Sequence, residues 1–193
     1  MYEDGIVICA ENSSNTLRKV SEIYDRIGFG GVGRYNEFDQ LRIAGVRHAD
    51  MKGYAYSRED VDARSLANQY AQTLGQTFTH EMKPMEVEIL VAEIGYEAED
   101  DQMFHIIYDG TVADRHQYAV LGGDSEAITG RLEEAFSGRM ELGAAIRAAA
   151  AALSGGERTL VADDLEVAVL SRSNGRRAFA RIEGDELNAV LSG

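Results

Sequence analysis

A cluster of glycines offers the first candidate for chemistry in this 193-residue sequence. Gly28, Gly30 and Gly33 follow the spacing G-x-G-x-x-G, which forms the phosphate-binding turn of dinucleotide-binding enzymes. In such enzymes the turn joins a buried parallel strand to the N-terminus of a helix. The spacing therefore makes a nucleotide-binding oxidoreductase one candidate function for the chain.

The residues that precede the glycines do not fit that candidate. A nucleotide-binding strand is a nearly continuous apolar run, whereas residues 19–26 read KVSEIYDR and carry four charges. An acidic residue is expected about 20 positions further on, and Asp50 is available, but 33 acidic residues supply one almost anywhere. The simpler interpretation is that the four glycines of residues 28–33 form a thin strand against which a backbone or a helix packs closely.

The other reactive side chains do not form a catalytic or metal-binding pattern. Cys9 lies in the apolar run IVICA and is expected to be a buried, inert thiol. The four histidines are scattered without metal-ligand spacing, so we expect them at the surface or in loops and predict no metal site. They are His48, His80, His105 and His116.

The composition is that of a folded protein with one domain, residues 1–193. With 45% hydrophobic and 8% aromatic residues, the chain can bury a good-sized core. The net charge of −14 and the lack of a basic stripe argue against nucleic acid as a partner. No apolar run approaches the roughly 20 residues of a membrane span, and no signal peptide opens the sequence, so we expect no membrane partner and a cytoplasmic location.

The first half of the chain predicts strands followed by two helices. Residues 6–10 predict a buried strand, and residues 19–33 predict a strand hairpin that ends in the glycines. Apolar residues at helical spacing predict a helix over about 34–50. Ser57 resembles the start of a capping box, because its side chain can accept a hydrogen bond from the amide of Asp60, and it opens a second helix.

The second half predicts three strands, a helix pair and two more strands. The strands are residues 87–92, 103–108 and Gln117–Leu121, then 165–169 and 178–182; helices are predicted at 128–136, 142–153 and 185–191. Hairpin turns at Asp109-Gly110 and Asn174-Gly175 imply antiparallel sheets, and helices in pairs argue against parallel crossovers. We therefore predict an α+β fold, a four-layer αββα sandwich with two antiparallel sheets between helix pairs. Helix pairs on one side of a single sheet are the alternative.

A sandwich of this kind is the fold of N-terminal-nucleophile hydrolases. In those enzymes a processed terminal threonine attacks the substrate, and its own amine acts as the base. The first threonine here is Thr16, which lies outside any plausible maturation site. The sequence therefore predicts no catalytic residue.

Several segments spread over nearly the whole chain resemble one protein family. They are residues 17–29 (LRKVSEIYDRIGF), 36–39 (NEFD), 53–56 (GYAY), 66–75 (LANQYAQTLG), 83–88 (KPMEVE), 108–110 (YDG) and 165–170 (LEVAVL). Together they closely resemble the α subunit of the actinobacterial proteasome core particle. The resemblance implies the N-terminal-nucleophile hydrolase fold and no cofactor.

The resemblance also implies a non-catalytic role. The family's α subunits form the outer heptameric rings of the core particle, gate it, and bind the β subunits that carry the threonine nucleophile. A hexameric AAA ATPase or another activator docks on the ring through its C-terminal tail and feeds it pupylated proteins. Family members carry an N-terminal helix, a gating tail and a first strand before the turn at residues 2–5. We expect these elements to be absent from residues 1–193.

One lysine is the candidate binding residue. In the family, the lysine of the motif L-x-K-[IV]-S-E-[LI]-Y-D-R lines a pocket between neighbouring α subunits that takes the activator's C-terminal carboxylate. Lys19 matches that position, and the resemblance implies that Gly33 and Arg34 line the same pocket. A lysine suits the role as a point charge for one carboxylate; without the motif, Lys19 is an ordinary exposed strand lysine. The alternative functions are a nucleotide-binding enzyme that uses Gly28, Gly30 and Gly33, and a stand-alone hydrolase of the same fold.

Overall fold

A computed structural model describes residues 1–14, 16–156 and 158–193. The described residues form eight strands and five helices. In chain order they are β1 (Gly5–Glu11), β2 (Val20–Tyr24), β3 (Ile27–Gly33), α1 (Tyr35–Ala55), α2 (Ala63–His80), β4 (Val87–Glu93), β5 (Gln102–Ile107), β6 (Val112–Arg115), α3 (Ser125–Ala135), α4 (Leu142–Ser154), β7 (Leu165–Ser171), β8 (Phe179–Ile182) and α5 (Gly184–Ser192). In that described part of the chain, no helix combines the length and the hydrophobicity that a membrane crossing requires.

The strands form two antiparallel sheets. One sheet has three strands in the order β1-β7-β8, and the other has five in the order β2-β3-β4-β5-β6. Neighbouring strands of the larger sheet follow one another in sequence, because each is joined to the next by a hairpin or by the α1–α2 pair. Among the described strands, β1 and β7 of the smaller sheet are paired over the longest sequence separation.

The sheets lie face to face between helices, as predicted. Helices α1 and α2 cover the outer face of the five-stranded sheet, and α4 covers the three-stranded sheet, with α3 and α5 packed on α4. Both faces of β4 are apolar because each packs against another layer. Ile89 and Val91 face α1 and α2, whereas Leu90 faces the other sheet. The αββα sandwich of the prediction is therefore confirmed.

The glycine cluster belongs to a strand and not to a phosphate-binding turn. Strand β3 lies between β2 and β4 and is antiparallel to both. A Cβ atom on Gly31 would lie 2.7 Å from the ring of Phe38, so α1 packs directly on the bare backbone of β3. This confirms the thin-strand interpretation and leaves the nucleotide-binding interpretation without the parallel strand that it needs.

The strand predicted at Gln117–Leu121 is wrong. After the turn at Asp109-Gly110 the chain pairs back at once, so the third strand is β6, with Val112 opposite Ile106. Residues 117–121 lie outside the strands, and Ala119 and Leu121 pack against the core between the sheets. Their apolar pattern therefore reflects packing against the core and not pairing in a sheet.

The predicted start of α2 is also wrong. Ser57 accepts a hydrogen bond from the amide of Glu59 at 3.4 Å and begins only a short 3-10 turn, Arg58–Asp60. The N-cap of α2 is Asp62, whose carboxylate accepts from the amide of Ser65 at 2.7 Å. Asp62 caps the helix in place of Ser57 because an aspartate is at least as good an N-cap as serine. Lys52 also holds its side chain, since Nζ donates to the second carboxylate oxygen at 2.7 Å. Helix α1 is longer than predicted, since it continues from residue 50 to Ala55.

Candidate functional site

Lys19 lies immediately before β2, and its backbone and side chain are both held. Its carbonyl oxygen accepts a hydrogen bond from the amide of Gly31 at 2.9 Å, which extends the β2–β3 ladder by one residue. Its half-buried side chain runs towards β1, where Nζ donates to the carbonyl oxygen of Glu11 at 2.8 Å. In the part of the chain that the structure describes, no carboxylate lies within 4.0 Å of this ammonium group. Among the described residues, therefore, the positive charge of Lys19 has no ion-pair partner.

The amide of Lys19 is bound by a buried carboxylate. Glu166 of β7 is only 3% exposed, and its Oε2 accepts from the amide of Lys19 at 2.8 Å and from Nδ2 of Asn12 at 2.9 Å. Its Oε1 accepts from the amide of Val20 at 3.2 Å and from Nη1 of Arg181 at 2.8 Å. Glu166 is a site residue that was not predicted. A signal for it is present in the sequence, because it is the one ionisable residue in the otherwise apolar run LEVAVL, and all seven residues of β7 are buried.

Gly33 and Arg34 join the end of β3 to the start of α1. Gly33 has φ +107°, and a Cβ atom there would lie 2.1 Å from the carbonyl oxygen of Glu86, so glycine is required on both counts. The amide of Arg34 donates to that same carbonyl oxygen at 3.0 Å, and its guanidinium pairs with the carboxylate of Glu86. Glu37 completes the contact, because its carboxylate accepts from the amide of Glu86 at 2.7 Å.

A cavity of about 900 Å³ brings part of this set together. Lys19 and Gly33 lie on its wall, whereas Arg34 lies beside it, half exposed, with its charge committed to Glu86. The cavity wall is mostly apolar and includes Ile8, Ala10, Leu90, Leu121, Ile128 and Leu132. Lys83, which the sequence analysis noted only within a motif, is a second cation on the wall. The wall also includes four acidic residues, each within 4.0 Å of a basic side chain: Glu11, Glu86, Glu88 and Asp124. Lys19 therefore offers a positive charge beside an apolar surface, which suits an anionic group attached to an apolar chain.

The other candidate side chains do not build a nucleophile or a metal site. Cys9 lines the same cavity, and burial raises the pKa of its thiol to about 12, so the thiol is protonated at neutral pH. Thr16 lies in an exposed loop. No group of three or more histidine, cysteine, aspartate or glutamate side chains is arranged for a metal ion within the described ranges.

One histidine departs from the surface position that was predicted for all of them. His105 lies within β5, its side chain is only 12% exposed, and its Nε2 is 3.1 Å from the carboxylate of Glu88. His105 lies opposite Leu90 in the β4–β5 pairing, and Leu90 faces the other sheet. The side chain of His105 therefore lies on the inner face of the five-stranded sheet and not in a loop. The prediction failed for His105 because a histidine can pack against a neighbouring carboxylate without any metal partner.

Comparison with known proteins gives one consistent result. The family model described as "Proteasome subunit" matches residues 1–170. A protein of Acidimicrobium ferrooxidans named "Proteasome subunit alpha" is 59% identical over 191 residues, which cover 99% of this chain and 82% of that protein. Proteins of the same name from Saccharopolyspora erythraea and Parafrankia sp. are 54% and 51% identical, over 98% of this chain and 75% and 82% of their own lengths.

Proposed function

The chain belongs to the proteasome subunit family as an α subunit, and we propose that it forms the outer heptameric ring of a core particle and docks an activator at Lys19. Its partners are identical α subunits, the β subunits that carry the catalytic threonine, and the C-terminal tail of a hexameric AAA ATPase or another activator. The assembled particle degrades pupylated proteins in the cytoplasm, and this chain gates it and contributes no catalytic residue.

The observation that carries the docking proposal is the uncompensated ammonium group of Lys19. Within the described residues, 13 of the 19 basic side chains lie within 4.0 Å of a carboxylate, and Lys19 is not one of them. Lys52, by comparison, donates to the carboxylate of Asp62 at 2.7 Å. The partner of the Lys19 Nζ in the described part of the chain is the neutral carbonyl of Glu11, which an incoming carboxylate replaces with a stronger, charge-assisted bond.

The surroundings of Lys19 favour the end of a peptide chain over a free anion. Apolar side chains line the cavity beside the ammonium group, and they can bury the last side chains of a tail. A single compact ammonium group matches one carboxylate and does not require the two-pronged geometry that arginine provides. Gly33 lies on the same wall, and the side of its Cα atom that lacks a side chain is packed against the carbonyl group of Glu86.

The proposal is tested by docking an activator on core particles that carry Lys19→Ala. We expect the particles to assemble, because a half-exposed lysine without an ion pair contributes little to stability. Docking weakens by about 1.5–3 kcal/mol per site, the range of a hydrogen bond to a charged group, which is roughly tenfold to a hundredfold in affinity. Several tails bind one ring, so the effect on the whole ring is larger.

Arg18→Ala is the matched control. It removes the same charge one residue away, but Arg18 is 43% exposed and pairs with Glu183, so docking should stay within about twofold of the wild type. Lys19→Arg should restore only part of the affinity. Salt should weaken the wild type more than Lys19→Ala. Equal affinity and an equal salt dependence in the wild type and in Lys19→Ala would contradict the proposal.

A further inference from the structure

Glu166 is a carboxylate in a place that the fold otherwise reserves for apolar side chains. It lies on the face of β7 that points into the sandwich, where the next residues on that face, Ala168 and Leu170, belong to the core between the sheets. A carboxylate that is 3% exposed loses most of its hydration, which is costly unless donors replace the water. The groups that donate hydrogen bonds to Glu166 therefore indicate its role.

Two of its four hydrogen bonds come from the backbone of the candidate docking site. The amides of Lys19 and Val20 donate to Oε2 and Oε1 at 2.8 and 3.2 Å, one to each oxygen. Asn12 and Arg181 supply the other donors, at 2.9 and 2.8 Å. Each carboxylate oxygen thus accepts two bonds, which satisfies its lone pairs. A simple buried ion pair with Arg181 would not need the two amides.

The same network fixes the peptide units on both sides of the Lys19 Cα atom. Glu166 holds the amides of Lys19 and Val20, while Gly31 donates to the carbonyl oxygen of Lys19 at 2.9 Å. Arg181 then holds the carbonyl oxygen of Val20 through Nη2 at 2.6 Å. With both peptide planes held, the direction in which the Lys19 side chain leaves the backbone is set before any ligand arrives.

The charges of the network do not involve the ammonium group of Lys19. The negative charge of Glu166 is balanced by the guanidinium of Arg181, which is 26% exposed and lies 2.8 Å from Oε1. Glu166 therefore binds the backbone of Lys19 without neutralising its side chain. A glutamine at this position cannot do the same, because its amide nitrogen would face two donors where the carboxylate presents an acceptor.

From these contacts we propose that Glu166 is a positioning residue, which holds the backbone of Lys19 so that the ammonium group is presented to the activator's carboxylate. The inference rests on the proposed docking role of Lys19. Preorganisation of this kind strengthens binding, because the ordering of the lysine takes place during folding and not during docking.

The test is a double-mutant cycle on core particles assembled from the full chain and its β subunits. The probe is the proteasomal ATPase hexamer of the same organism, and its affinity is measured for the wild type, Glu166→Gln, Lys19→Ala and the double variant. We expect Glu166→Gln to weaken docking about threefold to tenfold, and Lys19→Ala to weaken it at least tenfold. The double variant should dock no more weakly than Lys19→Ala alone, because Glu166 acts through Lys19.

A further readout separates positioning from a general structural role. The salt dependence of docking should persist in Glu166→Gln, which keeps the ammonium group, and should be reduced in Lys19→Ala. If Glu166→Gln does not assemble, Asn12→Ala removes one donor from Oε2 at the edge of the network and should weaken docking about twofold to fivefold.

The outcomes distinguish this inference from the function on which it rests. Unchanged docking in Lys19→Ala overturns the docking role of Lys19, and with it the inference. Weakened docking in Lys19→Ala together with unchanged docking in Glu166→Gln, or additive effects in the double variant, overturns the positioning role alone.

Discussion

Asp101 anchors one end of the sandwich and provides a stringent test of the packing. Its side chain is fully buried and follows the turn between β4 and β5. Oδ1 accepts from Nη1 of Arg172 at 2.7 Å and from the amide of Gly95 at 2.9 Å, and Oδ2 accepts from Nη1 of Arg139 at 3.1 Å. Arg172 follows β7 and Arg139 precedes α4, so one carboxylate ties together connections from both sheets and the helical layer.

We predict that Asp101→Asn destabilises the chain by about 3 kcal/mol. Removing one partner of a buried ion pair typically costs about 3–5 kcal/mol, because it leaves a charge without compensation. The lower end applies here, since asparagine keeps an acceptor for Gly95 and Arg139 is 34% exposed and can be rehydrated. Arg172 is only 18% exposed and donates to the same oxygen as Gly95, so it keeps an acceptor in asparagine but loses the negative charge that compensates its own, which accounts for most of the loss. For a chain of 193 residues this corresponds to a fall in Tm of roughly 6–12 °C.

The assay is chemical and thermal unfolding of the isolated chain, with Asp100→Asn as the control. Asp100 is the adjacent aspartate and is exposed, so its replacement should change the free energy of unfolding by less than about 0.5 kcal/mol. If Asp101→Asn unfolds at the same denaturant concentration as Asp100→Asn, then the two arginines do not depend on this carboxylate and the reasoning is refuted.

Two other predictions concern buried groups. The hydroxyl of Tyr70 is buried without a hydrogen-bond partner among the described residues, so Tyr70→Phe should stabilise the chain by about 1 kcal/mol in urea unfolding; a loss of stability would show that the hydroxyl is satisfied. Cys9 is partly buried on the cavity wall, and burial raises the pKa of its thiol to about 12, which lowers the thiolate population. Alkylation of the native chain by iodoacetamide at pH 8 should therefore be at least about tenfold slower than that of the urea-unfolded chain, and equal rates would contradict the raised pKa.

Much of the fold was predictable because local patterns and long-range packing agree. The hairpin turns and the paired helices specify antiparallel sheets between helical layers. In β4, the apolar residues on both faces of the strand indicate that both faces are buried. The apolar pattern wrongly predicted a strand at residues 117–121, where the apolar residues pack on the core without strand pairing. The predicted helix start at Ser57 was also wrong, because periodicity marks the middle of a helix better than the cap that begins it.

The site was predictable only in part, because its chemistry depends on contacts between distant segments. The motif around Lys19 predicts it as the docking residue, and the structure places Lys19 and Gly33 on the wall of one cavity. The sequence could not reveal that Glu166, 147 residues away, binds the amide of Lys19. It also could not reveal that Arg34 commits its charge to Glu86 or that Lys83 lies on the cavity wall, since both depend on how the end of β3 meets the start of β4.

Native mass measurement after co-expression with the β subunits of the same organism tests whether this chain acts as the α subunit of a proteasome core particle. We predict a particle in which heptameric rings of this chain are bound to β rings, and peptide hydrolysis that is found only in that assembled fraction. A chain that stays monomeric beside fully assembled β subunits would contradict the claim. So would peptide hydrolysis by the purified chain without β subunits.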